Sequence, residues 1–215
     1  RRVGARRLLQ TGLSSRGLLA ADAIMELENV IRALEQGRRF ARDPLEYYVS
    51  VFGTPDAHGS WSWRFEGHHL SLHFTVVAGE ITVSTPTFMG TNPAELREGP
   101  NKGQRPLGAQ EDRARALARS LTETQRGAGL IADVAPAEIT TTNSYPIEPL
   151  KPAGILATAL SAEQQEMLKA LIESHASLMA TEIAAVRLAR VFEAGFENVG
   201  FAWAGSLEPG QPHYY

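Results

Sequence analysis

The sequence WSWRFEGHHLSLHFTVV, residues 61–77, decides the fold that we predict for this chain. Apolar residues alternate with polar ones on both sides of Gly67, and a period of two is the spacing of a β-strand with one buried face. Gly67 interrupts the alternation, so we expect two strands with a break between them. The residues expected to be largely buried are Trp63, Phe65, Leu70, Leu72 and Phe74.

Further strand segments surround this stretch. Residues 47–52 (YYVSVF) are rich in β-forming residues, and residues 78–80 (AGE) are typical of a hairpin turn before residues 81–85. We therefore predict an antiparallel meander over residues 46–88. A C-terminal hairpin is predicted at residues 199–215, and we expect it to join the same sheet.

Helical patterns account for much of the remaining chain. Leu18 to Leu34 shows the apolar spacing of a helix, for which Gly37 is a plausible end. The side of this helix away from the apolar stripe is expected to carry Asp22, Glu26, Glu28 and Arg32. Together these patterns predict an α+β fold in which about five helices pack on an antiparallel sheet.

The composition is that of a soluble globular domain. The chain has 215 residues with a formal net charge of -3, which predicts a single domain over residues 1–215 and gives no reason to expect a nucleic-acid partner. No apolar run reaches the ~18 residues that a membrane span needs. The absence of cysteine excludes disulfides and thiolate chemistry. Because the chain begins at Arg1 and stops inside a predicted strand, we expect a fragment truncated at both ends.

Five side chains that could carry chemistry fall within ten residues, namely Arg64, Glu66, His68, His69 and His73. Residues four apart on a strand lie ~13 Å apart, so His69 and His73 cannot bind one ion directly. His68 and His69 would point to opposite faces of a regular strand unless Gly67 distorts it. Another segment must therefore supply a ligand, and His213 on the predicted terminal hairpin is the best candidate.

These residues predict a metal-dependent enzyme or a metal-binding protein. A divalent ion would be held by His68 or His69 together with His213 and residues that follow the end of this chain. Glu66 would act as acid or base or orient a ligand, and Arg64 would hold an anionic group of a small-molecule substrate.

A second interpretation stays open for the same residues. Arg64 and Glu66 lie two residues apart on one strand face and could simply form an ion pair. Histidines beside aromatic residues are often hydrogen-bonded parts of a core. The protein would then be a non-catalytic module that binds a small molecule or another protein, and these residues would be structural.

The chain resembles a family catalogued as domain of unknown function 3500. The resemblance rests on residues 52–55 (FGTP), 63–72 (WRFEGHHLSL), 201–205 (FAWAG) and 212–215 (PHYY), and it spans nearly the whole chain. It implies a shared fold and a shared site around Glu66, His68, His69 and His213, but no reaction. Family members usually have Asn at the position of His73, and they continue past the terminal strand into a His-rich segment.

Overall fold

The structure, a computed structural model, describes residues 2–36, 42–142, 147 and 150–215. Within these residues the chain forms six α-helices and ten β-strands. In chain order they are α1 (Arg2–Gly12), α2 (Ser15–Glu35), β1 (Tyr48–Phe52), β2 (Ser60–Glu66), β3 (Leu70–Val77), β4 (Glu80–Val83), β5 (Thr87–Met89), α3 (Gly108–Ser120), α4 (Glu123–Gly129), β6 (Leu130–Ala132), β7 (Ile155–Leu156), α5 (Ala162–Ala176), α6 (Thr181–Glu193), β8 (Gly200–Phe201), β9 (Trp203–Gly205) and β10 (His213–Tyr214). Single turns of 3-10 helix cover Ala157–Ala159 and Phe196–Asn198. The predicted α+β class is confirmed.

The chain divides into two compact units. The first unit contains Arg1–Ala109 and His175–Arg187, and the second contains Gln110–Ser174 and Leu188–Tyr215. Each unit has its own hydrophobic core. The prediction that residues 1–215 form a single domain stays a prediction.

The first unit is built on a five-stranded antiparallel sheet. Its strands follow the order β1-β2-β3-β4, and β5 also pairs with β3. Neighbouring strands follow one another in the sequence, which is the arrangement of a meander. The predicted antiparallel meander over residues 46–88 is therefore confirmed.

One face of this sheet forms the core of the first unit. The five residues that the alternating pattern predicted to be buried are all at most 5% exposed. Trp63 and Phe74 lie opposite each other on β2 and β3, and their rings stack with centroids 4.4 Å apart. Burying such an aromatic pair contributes more to stability than its buried area alone. This contribution favours the register in which Trp63 and Phe74 face each other.

Helix α2 is the longest described helix and packs on that core. The Ser14 side chain caps it by accepting a hydrogen bond from the Gly17 backbone N–H, and it ends with Gln36 in the left-handed conformation. The predicted helix from Leu18 to Leu34 is confirmed, while the expected end at Gly37 lies outside the described residues. None of the described helices is both long and apolar enough to cross a membrane.

The second unit contains a separate three-stranded sheet in the order β10-β9-β6. Strand β9 pairs with β10 in antiparallel fashion and with β6 in parallel fashion. The predicted C-terminal hairpin is confirmed, but the expectation that it joins the sheet of residues 46–88 is wrong. Both hydrogen-bonding edges of β9 are already occupied by β6 and β10, so β9 has no edge left for another strand.

Candidate metal centre

His68 and His69 lie in the tight turn that joins β2 to β3. Glu66 pairs with Ser71, and the Gly67 backbone N–H donates to the Leu70 carbonyl at 2.9 Å. The turn releases the two histidines from strand alternation, so that their ring centroids lie 3.7 Å apart. The strand is therefore interrupted at Gly67, as the sequence argument required, and both imidazoles lie on one side.

Gly67 is needed here because the ring of Tyr47 packs directly on its backbone. A Cβ atom added at Gly67 would lie 2.3 Å from the nearest carbon of that ring. Tyr47 is held from the other side by Phe65, whose ring stacks on it with centroids 5.7 Å apart. The turn and the Tyr47 ring thus fix each other's position.

A buried carboxylate from helix α2 faces the two imidazoles. Glu28 is only 2% exposed. Its Oε1 atom lies 2.8 Å from His68 Nδ1 and 3.9 Å from His69 Nδ1. One oxygen of a buried acid and one nitrogen of each histidine therefore converge, with all three within 4.8 Å of one another.

The two histidines differ in their surroundings. The His68 side chain is 36% exposed, whereas that of His69 is 16% exposed. Burial, followed by the nearby His68, lowers the pKa of His69 below its usual range, so its imidazole is neutral at pH 7. Its Nδ1 is buried and has no hydrogen-bond partner among the described residues.

Arg42 closes one side of the site. Its guanidinium binds Glu35 through two hydrogen bonds of 3.0 Å, and its Nη1 lies 2.9 Å from His68 Nδ1. The hydrogen bond to Glu35 and the charges of Glu35 and Glu28 raise the pKa of Arg42, so it stays charged. The guanidinium and the Glu28 carboxylate therefore both contact the same nitrogen of His68.

A cavity of about 240 Å³ opens next to these groups. It is lined by Glu28, Arg42, Asp43, Glu46, Tyr47, Tyr48, Gly67 and His68. The lining carries three carboxylates and one guanidinium, so its charge is negative. Such a charge attracts a cation to the end of the cavity where Glu28 and His68 lie.

The three donor atoms can hold one metal ion. Bonds of ~2.0–2.1 Å in tetrahedral geometry place donor atoms roughly 3.3 Å apart. The observed separations of 2.8 and 3.9 Å from Glu28 Oε1 lie on either side of that value. Small side-chain rotations would therefore bring the donor atoms to bonding distance from one ion. The unpartnered nitrogen of His69 also fits a metal, because a neutral imidazole offers its lone pair to the ion.

Comparison with known proteins gives a family but no activity. The family described as "Protein of unknown function (DUF3500)" matches residues 1–215. The chain belongs to this family. No curated protein and no solved structure matches it. The recognised resemblance is thereby confirmed, and the DUF3500 description assigns no reaction to the site.

Arg64 and Glu66, the two residues predicted to act in catalysis, form an ion pair on strand β2 of this DUF3500 chain. Arg64 Nη2 lies 2.7 Å from Glu66 Oε1, and both side chains are about one third exposed. They alternate with the buried Trp63 and Phe65, so they point to the sheet face opposite the core. The geometry is that of the simple ion pair, and a catalytic role for either residue stays a prediction.

His213 lies in the second unit. Its ring stacks on Trp203 with centroids 5.0 Å apart, and its Nε2 lies 3.7 Å from Glu111 Oε1. The expectation that His213 lies across one sheet from His68 and His69 is wrong, because its hairpin pairs with β6 instead. Within the first unit, the group that lies beside the two histidines is the Glu28 carboxylate from helix α2, and a metal-binding role for His213 stays a prediction.

Sequence reasoning missed Glu28 by assigning it to the polar side of its helix. Glu28 follows Ile24 by four positions and precedes Ile31 by three, so it lies within the buried stripe. The signal was a carboxylate among apolar residues at helical spacing. Such a residue is rarely buried without a partner.

Proposed function

We propose that this chain binds one divalent metal ion through Glu28, His68 and His69 and acts as a metal-dependent enzyme. The observation that carries the proposal is the convergence of a buried carboxylate oxygen and two imidazole nitrogens within 4.8 Å. Carboxylate and imidazole are common ligands of zinc and of other first-row metals in their divalent state.

Electrostatics supports a cation at this point. A buried carboxylate is costly unless it is paired, and the His68 hydrogen bond involves only one oxygen of Glu28. The orphaned Nδ1 of His69 is a second group without a partner among the described residues. One ion bound between them would satisfy both groups, and its charge would offset the negative lining of the cavity.

The cavity supports a catalytic rather than a purely structural ion. Structural zinc sites are closed by four protein ligands, while catalytic sites have three ligands and an open position. Glu28 and His68 both line the cavity, so the open side of an ion that they hold would face it. A volume of about 240 Å³ limits the substrate to a small molecule.

The donor set restricts the metal without fixing it. Two histidines and one carboxylate are found both in zinc hydrolases and in non-haem iron oxygenases. The ion would supply Lewis-acid or redox chemistry when bound. Glu28, His68 and His69 would orient it, and the Arg42 guanidinium would leave His68 Nδ1, because one nitrogen lone pair cannot serve both an ion and a donor. The roles predicted for Arg64, Glu66 and His213 are not needed for this proposal.

Equilibrium dialysis against zinc, cobalt(II), manganese(II) and anaerobic iron(II), followed by elemental analysis, tests the proposal. We expect about one ion per chain for the best-bound metal. Glu28→Gln and His69→Ala should lose most of that metal while their thermal unfolding stays cooperative. Glu66→Gln and His73→Ala are the matched controls, and they should retain it.

The competing function is a non-catalytic binding module. The 2.8 Å hydrogen bond between His68 and Glu28 favours it, because that contact needs no ion. This alternative predicts that no metal binds at stoichiometric level and that Glu28→Gln only lowers stability. Metal binding that survives both Glu28→Gln and His69→Ala would also reject the site proposed above.

A further inference from the structure

Among the residues that the structure describes, Tyr47 is the tyrosine held rigidly against the proposed metal centre. Its ring stacks on Phe65 at an interplanar angle of 11° and packs on the Gly67 backbone. It directly precedes β1, whose first residue Tyr48 pairs with Glu66. The ring therefore has little freedom to leave its place beside the turn.

The Tyr47 hydroxyl is a buried hydrogen-bonding group beside the site. It makes no hydrogen bond of good geometry with a described residue, but the His69 backbone and the Glu28 carboxylate lie close enough to act on it. Buried tyrosine hydroxyls usually find a partner, and leaving one unpaired is destabilising. A phenol hydroxyl carries a proton that it can donate to a carboxylate.

The Glu28 carboxylate lies beside this hydroxyl and can accept its hydrogen bond. In the structure, Glu28 Oε1 is held by His68 Nδ1. A metal ion would take that imidazole nitrogen as a ligand, and Glu28 would then lose this hydrogen bond. Another donor is needed to hold the carboxylate in its orientation.

We propose that Tyr47 is a positioning residue of the metal centre, whose hydroxyl donates to Glu28 and holds the carboxylate toward the two imidazoles. This inference rests on the metal-binding function proposed above. Hydrogen bonds to metal ligands fix their orientation, and removing one weakens metal affinity by about 10- to 100-fold. The Tyr47 hydroxyl would thus control affinity without touching the ion.

The test uses cobalt(II), whose visible absorption reports both binding and coordination geometry. Tyr47→Phe keeps the ring that packs on Phe65 and Gly67 and removes only the hydroxyl. We expect its melting temperature without metal to equal or exceed that of the unchanged protein, because an unpaired buried group is lost. Its cobalt(II) dissociation constant should rise by about 10- to 100-fold, with a changed visible spectrum.

Tyr48→Phe is the matched control, since Tyr48 lines the same cavity but is 63% exposed. It should bind cobalt(II) like the unchanged protein. Equal affinities of Tyr47→Phe and the unchanged protein would overturn the inference while leaving the metal centre intact. Equal weakening by both variants would also overturn it. Failure of the unchanged protein to bind any cobalt(II) would overturn the proposed function and this inference together.

Discussion

Replacing Gly67 by alanine tests the link between the hairpin turn and the candidate site. The new Cβ would lie within 2.8 Å of three carbon atoms of the Tyr47 ring. That ring cannot swing aside cheaply, since Phe65 stacks on its other side. The backbone of Gly67 lies outside the left-handed region, so the steric clash is the main expected cost.

Overpacking of this kind costs about 1–3 kcal/mol. For a chain of this length, that cost corresponds to a fall of about 2–12 °C in melting temperature. Displacing Tyr47 and the turn should also weaken cobalt(II) binding, because both imidazoles belong to that turn. Thermal unfolding followed by circular dichroism measures the first effect, and cobalt absorption measures the second.

Gly127→Ala is the control for this substitution. Gly127 lies in helix α4, and an added Cβ there would meet no atom within 4 Å. Alanine stabilises a helix interior by roughly 0.5–1 kcal/mol relative to glycine, so this variant should melt at the same temperature or slightly higher. A Gly67→Ala protein with unchanged melting temperature and unchanged cobalt affinity would refute the close packing described for the turn.

Three further predictions concern stability. Leu72→Ala should cost about 2–5 kcal/mol in urea unfolding, because Leu72 is 0% exposed in the sheet core; a cost below about 1 kcal/mol would contradict that packing. Ser14→Ala should lower the free energy of unfolding by about 0.5–2 kcal/mol, because it removes the N-cap of α2. Ser14→Asp should keep most of that stability, since aspartate also caps helices. Equal stability of all three proteins would argue against the cap. Stability should fall as the pH drops below about 6.5, because unfolded His69 takes up a proton there while burial lowers the pKa of folded His69. His69→Gln should reduce that pH dependence in thermal unfolding, and an unchanged dependence would show that His69 is not its source.

The sheet of the first unit could be predicted because its signal is local. Trp63, Phe65, Leu70, Leu72 and Phe74 alternate with polar residues, and a period of two can be read without tertiary information. All five are buried as expected. The helix from Leu18 to Leu34 was predictable for the same reason.

The sheet membership of the C-terminal hairpin could not be predicted in this way. Local pattern shows that residues near Trp203 form a strand, but pairing partners depend on contacts between distant segments. Leu130 pairs with Trp203, which lies 73 positions later in the sequence, and nothing in either local pattern specifies that contact. The joined sheet was therefore an assumption about tertiary structure.

The candidate site was predicted in part. His68 and His69 were recognised from the sequence. They were expected to share one side only if Gly67 distorted the strand. Glu28 comes from a helix 40 residues earlier, and only the packing of α2 on the sheet brings it to the turn. A carboxylate in an apolar stripe was a visible signal, yet its partner could be identified only in three dimensions.

The most direct measurement of the central claim is anomalous diffraction from crystals of the protein loaded with its preferred metal. The account predicts one strong anomalous peak at ~2.0–2.2 Å from Glu28 Oε1, His68 Nδ1 and His69 Nδ1. An ordered turn without a peak at that position, or a peak between His213 and Glu111 instead, would contradict it.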